Sequence, residues 1–363
     1  MTDWKNPPKL FIPGPVHSTP EILEQLSRYT VGHRAKEYSQ LHGETAAMLK
    51  KVLFTDQNVF LSTSSGSGGW ECSMRNLVGE GEKVLCCMCG AFSDKYASVA
   101  KGCGVEYDEL KVEWGRATTA DMIDKKLASG EYSAVTFVYN ETSTGVTNPV
   151  EEISVMIKEK YPDVLIFVDC VSAMAALPLK FDELGWDFAF ASVQKAFAIP
   201  PGLAVFAVSD RAMQKAETVK NRGYYFDLLQ FAKTAKKDQT PTTPAVPQIM
   251  ALNYRCQLLL EEGMENVWER HQQMADFVRG WAKENFALFA EDEKFASNTL
   301  TTVKNTRGID VAAVIEAVKE KHNAAFGNGY GKLKQETFRI AHMGDITLDE
   351  LKDLLSWIDD EIK

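Results

Sequence analysis

The segment DFAFASVQKAFAIPPGLAVF puts Lys195 where a strand-like apolar run gives way to a turn. Pro200, Pro201 and Gly202 exclude a helical continuation and return the chain to the next apolar run. An amine fixed at such a strand edge can condense with an aldehyde or carry a proton. A lysine between two strands is ordinarily a surface cation, so Lys195 gains meaning only from its companions. Asp169 closes the apolar run VLIFVDC and is followed by Val171 and Ser172. A carboxylate there can hold a ring nitrogen protonated, although strand ends also use aspartate for turns and caps.

The stretch STSSGSGGWECSMRNL follows the strand-like NVFLS and opens a helical pattern. Ser65, Gly66, Ser67, Gly68 and Gly69 in it can offer backbone N–H groups and hydroxyls to a phosphate at a helix start. Phe92, in GAF at the entrance of the next helix, can lie flat on an aromatic ring; a core phenylalanine is the plain alternative. Thr142, in the polar turn YNETSTGV, can bond a ring oxygen or phosphate. Arg339, flanked by Phe338 and Ile340 in a strand-like run, offers a two-pronged donor to a carboxylate. An aldehyde-binding lysine, an acid for a pyridine nitrogen, a phosphate cradle and a stacking ring are together the requirements of pyridoxal 5'-phosphate.

Several elements must position these groups. From Ser18 to about Val208, amphipathic stretches alternate with short apolar runs, VLCCM, VEYDEL, AVTFVY, VLIFVDC, DFAFAS and LAVFAV. That rhythm predicts an α/β fold with a largely parallel sheet covered on both faces, and chemistry at its strand ends. Beyond Asp210 the pattern changes to long helical segments, including MALNYRCQLLLEEGMENVWERHQQMADFVRGWAKENF. A strand-like TLTTVK and a closing helix LDELKDLLSWIDDEI follow. The expected division is a large domain over 18–262 and a smaller α/β domain formed by 1–17 and 263–363. In KKDQTPTTPAVPQ, Pro241, Pro244 and Pro247 are expected to delay regular helix until the last of them is passed.

The chain carries 40 Lys and Arg against 50 Asp and Glu, a formal net charge of -10, which disfavours a nucleic-acid partner. No apolar run reaches the roughly 20 residues of a membrane-spanning helix. The amino-terminal residues lack an apolar signal core, so a cytoplasmic protein without a membrane partner is expected. Cys86, Cys87 and Cys89 crowd the apolar VLCCMCGAF. Without a second Cys or His pair at ligand spacing, they read as strand residues rather than a metal site.

The ordered set PGP at 13–15, SSGSGGWE, GAF, ETSTGV, VDCVSA, SVQKAFAIPPG and FRIAHMGD resembles the class V aminotransferases of pyridoxal-phosphate fold type I, in particular the alanine-glyoxylate and serine-pyruvate aminotransferases. The resemblance implies a seven-stranded-type, mainly parallel sheet in the large domain. It implies Lys195 as the Schiff-base lysine, Asp169 as the pyridinium partner, Phe92 as the stacking ring and Arg339 as the substrate carboxylate clamp. Ser67, Gly68, Thr142, Val171 and Gln194 match cofactor-contacting positions. The family shares its sites across a homodimer, the partner lending a loop like KKDQTPTTPAVPQ, in which Thr243 matches the usual threonine. Thr240 stands where several relatives have a tyrosine.

The implied activity is transfer of an amino group from a small L-amino acid, alanine or serine, to glyoxylate or pyruvate. His33 and Arg34, in GHRAKEYSQL, resemble the His-Arg segment of phosphoserine aminotransferases. They keep a phosphoserine or 2-aminoethylphosphonate donor as an alternative. A cysteine desulfurase is disfavoured because Cys256 lies in a helical pattern rather than a mobile loop. A noncatalytic assembly protein that keeps the fold is the reading from another class.

Overall fold

The computed structural model describes residues 6–363. The apolar run ending at Asp169 forms the strand Leu165–Asp169, the central member of a seven-stranded sheet. From one edge the order is Asn58–Ser62, Ala204–Val208, Phe188–Ser192, Leu165–Asp169, Ala134–Val138, Lys83–Met88 and Glu106–Lys111. Ala204–Val208 runs antiparallel to both of its neighbours, and the other neighbouring pairs are parallel. The link from Phe188–Ser192 to Ala204–Val208 contains Lys195 and no crossover helix, so the returning strand pairs antiparallel.

Alternation along the buried strands feeds two cores. Leu85, Cys87, Phe137, Ile166, Val168 and Ala191 pack on one face. Val84, Cys86, Phe167, Phe188, Phe190 and Phe206 pack on the other. Helices therefore cover both sides, as the unbroken apolar runs require. Cys86, Cys87 and Cys89 are buried free thiols, and burial raises the pKa of each.

A second sheet has the order Lys9–Phe11, Ala324–Asn328, Thr337–Ala341, Leu300–Lys304 and Ala287–Leu288. Lys9–Phe11 pairs parallel with Ala324–Asn328, and Phe11 shares a core with Val278, Phe326, Phe338, Leu351 and Leu354. This pairing draws the amino-terminal strand onto the carboxy-terminal elements, with Ala324–Asn328 between it and the strand that bears Arg339.

Two sequence expectations are corrected. The long helical run is two helices, Val246–Glu262 and Met264–Asn285, broken at Gly263, whose φ of 84° is readily open only to glycine. The first of them starts before Pro247, because a first-turn proline gives up an N–H that has no partner in the helix.

Candidate active site

The carboxyl end of Leu165–Asp169 and the turn after Phe188–Ser192 open into one cavity of about 160 Å³. Ser67, Phe92, Thr142, Asp169, Val171, Gln194 and Lys195, all singled out in the sequence, line it. Strand ends beside a change of strand direction are the place where an α/β sheet leaves a crevice. A wider groove of about 540 Å³ between Arg75 and Lys220 shares no residue with this set.

Asp169 is 5% exposed. Its Oδ2 accepts a 2.7 Å bond from Trp70 Nε1, and its Oδ1 accepts a 2.8 Å bond from the Val171 N–H. Burial raises its pKa to about 6, against the opposing pull of those two donors. The Lys195 pKa moves the other way, down to about 8, first through burial and then through the nearby Arg339 guanidinium; Asp169 opposes the change. The Lys195 ammonium donates to the Pro13 carbonyl, which gives the PGP segment a direct role at the lysine. Gly14 lies so close that a Cβ there would sit 2.6 Å from Lys195 Cδ, at a φ of 121°.

The glycine-rich loop divides its labour differently from the sequence expectation. Gly66 precedes the helix Ser67–Leu77, and a Cβ on it would meet Val171 Cγ2 at 2.5 Å. Ser65, Gly66 and Ser67 line the cavity, whereas Gly68 and Gly69 are absent from its wall. The Gly68 and Gly69 N–H groups are taken by the carbonyls of Ser65 and Gly66. A Cβ on Gly68 would press on Phe226, and one on Gly69 would enter the Phe190 ring. Gly69 lets the helix approach the sheet, and Gly68 lets it approach the segment that carries Phe226.

Glu141 is fully buried and holds the amino end of the helix Ala91–Gly102 that carries Phe92. Its carboxylate accepts from the Phe92 N–H at 3.2 Å, the Ser93 N–H at 3.0 Å and Ser143 Oγ at 2.6 Å. Negative charge at a helix amino terminus is favourable, so this contact fixes where the Phe92 ring stands. Thr142 donates its hydroxyl to Ser172 Oγ at 2.8 Å, and its carbonyl accepts from Arg339 Nη1 at 3.3 Å. Arg339 also donates from Nε to the Asn328 carbonyl at 3.0 Å. Burial lowers the Arg339 pKa to about 10.

His33, Arg34 and Thr243 do not line this cavity. Arg34 donates to the Gln239 side chain at 3.1 Å and to the carbonyls of Thr240 at 2.9 Å and Pro241 at 3.4 Å. Thr243 is exposed, and Thr240 is buried with its hydroxyl donating to the Thr242 carbonyl at 2.8 Å. Trp70 and Asn140 line the cavity without having been singled out. Trp70 carries one signal: it stands three residues after Ser67 in a helix, and so on the same face.

The donor set matches a phosphorylated pyridine aldehyde. Ser192 Oγ and Gln194 Oε1 are buried without a hydrogen-bond partner, and both residues line the cavity. No bond among the described residues occupies the N–H groups of Gly66 and Ser67 at the helix start. An amine, a carboxylate and these free donors and acceptors thus surround one small space.

The family model described as Aminotransferase class-V matches residues 16–331. An uncharacterised aminotransferase of Methanocaldococcus jannaschii is 37% identical over 92% of this chain and 87% of its own length. A serine-glyoxylate aminotransferase of Methylorubrum extorquens is 32% identical over 93% of this chain and 86% of its own. Among solved structures, an alanine-glyoxylate aminotransferase from Nostoc sp. superposes with a TM-score of 0.93 at 25% identity, covering 98% of this chain and 96% of that one.

Proposed function

The chain belongs to the class V aminotransferases, and from that premise we propose that it uses pyridoxal 5'-phosphate to move an amino group from a small L-amino acid, alanine or serine, to glyoxylate or pyruvate. The observation that carries this reading is the convergence of Lys195 and Asp169 in one buried cavity, with their proton affinities displaced in opposite directions. Glyoxylate as acceptor draws support from the serine-glyoxylate and alanine-glyoxylate relatives.

When bound, the cofactor supplies an aldehyde for the amine and a ring that accepts electrons. Lys195 is the residue to hold the aldehyde and then, once freed, to carry a proton between the substrate Cα and the cofactor. A pKa near 8 leaves a usable share of its amine neutral close to physiological pH. Asp169, held in place by Trp70 and Val171, is the residue that would hold the ring nitrogen protonated. The loop at Ser65–Ser67 suits the phosphate, and Phe92 suits the ring face. Gln194 and Thr142 are assigned to the ring oxygen and phosphate side, and Arg339 to the substrate carboxylate.

Gly68 and Gly69 support the cradle through packing in this reading. Thr243 is assigned to the site of a partner subunit in a homodimer, and His33 and Arg34 to a substrate phosphate only under the phosphoserine or aminoethylphosphonate alternative. The division into 18–262 and 1–17 with 263–363, and a cytoplasmic location, belong to the same proposal. Among the described residues no helix is long and apolar enough to cross a membrane. Cys256 is buried within Val246–Glu262, which argues against a loop-borne desulfurase thiol.

The test is spectroscopic. Purified protein with pyridoxal phosphate absorbs in the visible, and borohydride removes that band by fixing the cofactor to Lys195. An unchanged band in Lys195→Ala would sink the reading. Single-turnover bleaching with L-serine, L-alanine, L-aspartate, phosphoserine and aminoethylphosphonate then ranks the donors, and bleaching by phosphoserine alone would select the alternative.

A further inference from the structure

The loop after Ala324–Asn328 brings one aromatic side chain, Tyr330, against three elements of the site at once. Its ring centre is 5.3 Å from that of Phe92, at 39° between planes, and 5.4 Å from the Arg339 guanidinium carbon. Its hydroxyl accepts a 2.6 Å bond from Lys95 Nζ. That ammonium is 5.1 Å from the Tyr330 ring centre, so it lies at the hydroxyl end of the ring rather than over a face. The ring faces remain free for Phe92 and Arg339.

The local backbone fixes where Tyr330 stands. Asn328 gives its carbonyl to Arg339 Nε, while its side-chain oxygen accepts the Gly329 N–H at 2.7 Å and the Gln335 N–H at 3.0 Å. A Cβ on Gly329 would collide with the Leu333 carbonyl, so the loop closes tightly beside the clamp. On its far side Lys332 rests 4.2 Å from the Trp114 ring centre. The same loop thus touches the large sheet's flank through Trp114 and through Lys95.

We infer that Tyr330 is a positioning residue for substrate binding: its ring, packed on Phe92, supports the Arg339 guanidinium, and Lys95 holds that ring through the hydroxyl. Among the described residues Arg339 has only two backbone carbonyls to orient it, one of them at 3.3 Å, so the fork needs a third constraint to present a free edge to a carboxylate. The inference rests on the reading of Arg339 as the carboxylate-binding residue.

The test uses the holoenzyme and two variants that keep a bulky apolar side chain in the loop. Tyr330→Leu removes the aromatic face, and Tyr330→Phe keeps it while losing the hydroxyl. Calorimetry gives the Kd for propanoate, an unreactive carboxylate, and steady-state rates give KM and kcat for the amino donor. Tyr330→Leu is expected to raise both Kd and KM about fivefold, the scale of a cation and ring contact. Its kcat should stay within about twofold of the parent, and Tyr330→Phe should recover most of the loss. Parent-like propanoate binding in Tyr330→Leu would overturn the inference, as would equal weakening by Leu and Phe. Arg339→Ala serves as the separate control. If it leaves propanoate binding intact, the assignment of Arg339 itself fails, whatever Tyr330 does.

Discussion

Removing the Asp169 charge should alter the pH dependence of stability in a predictable direction. In the cofactor-free protein, burial raises the Asp169 pKa from an ordinary 3.8 to about 6. Between those values the folded chain keeps a proton that the unfolded chain has lost. The stability this group contributes is therefore fully present below about pH 4 and is lost as pH rises through about 6. Two decades of proton affinity, at about 1.4 kcal/mol each, amount to about 3 kcal/mol. Asp169→Asn has nothing to titrate in that window. Its amide leaves either the Trp70 or the Val171 donor without an acceptor, but that penalty of about 1–3 kcal/mol is the same at every pH. Urea unfolding of both apoproteins at equal concentration, from pH 4 to pH 7.5, measures the difference. The variant should gain about 3 kcal/mol relative to the parent across the range. A constant difference would refute the claim that Asp169 is held in a desolvated, proton-retaining place.

The rate at which apoprotein captures pyridoxal phosphate should rise with pH and level off above about 8, because Lys195 reacts as the neutral amine. Arg339→Ala should move that midpoint upward by removing a neighbouring cation; stopped-flow absorbance across pH 6–10 shows both. Gly69→Ala should cost about 1–3 kcal/mol in thermal or urea unfolding, since overpacking against Phe190 outweighs the roughly 1 kcal/mol helix gain of alanine over glycine. Arg34→Ala should loosen the 239–241 loop and give a small loss of rate with serine and phosphoserine alike. A loss confined to phosphoserine would place Arg34 on a substrate phosphate.

What the sequence made legible was carried by local signals. Asp169 ends one apolar strand and Lys195 follows another in a turn closed by Pro200, Pro201 and Gly202, and strand ends in such a fold converge, so their meeting in one cavity was legible from pattern. Gly68 and Gly69 were misleading because a glycine records only that a side chain is unwelcome. Whether a phosphate or the Phe190 ring occupies that space is decided by a strand more than a hundred residues away. The same distance hid Trp70, whose indole matters only once its helix is laid against Asp169. Tyr330 sits in a loop flanked by glycines, where composition signals a turn and says nothing of the ring it meets. The break at Gly263 lay within a continuous helical pattern because one glycine is tolerated inside a helix, and only its positive φ separates the two helices.

With Arg339 assigned to the substrate carboxylate as proposed, the three charged groups of the site would let a carboxylate substrate promote its own reaction. Lys195 is held below its ordinary pKa by burial and by Arg339, while Asp169 pulls it upward. A carboxylate seated on Arg339 cancels part of the guanidinium field at the lysine, so the proton affinity of Lys195 rises as the substrate settles. A group that must be neutral to take the cofactor aldehyde and basic to accept a Cα proton needs different proton affinities at those two moments. On that assignment the ligand's own charge would supply the change. A ligand lacking the carboxylate would reach the same cavity and meet a weaker base. Full loss of the guanidinium in Arg339→Ala would then lower kcat as well as binding, whereas Tyr330→Leu, which leaves the charge in place, would act mainly on binding.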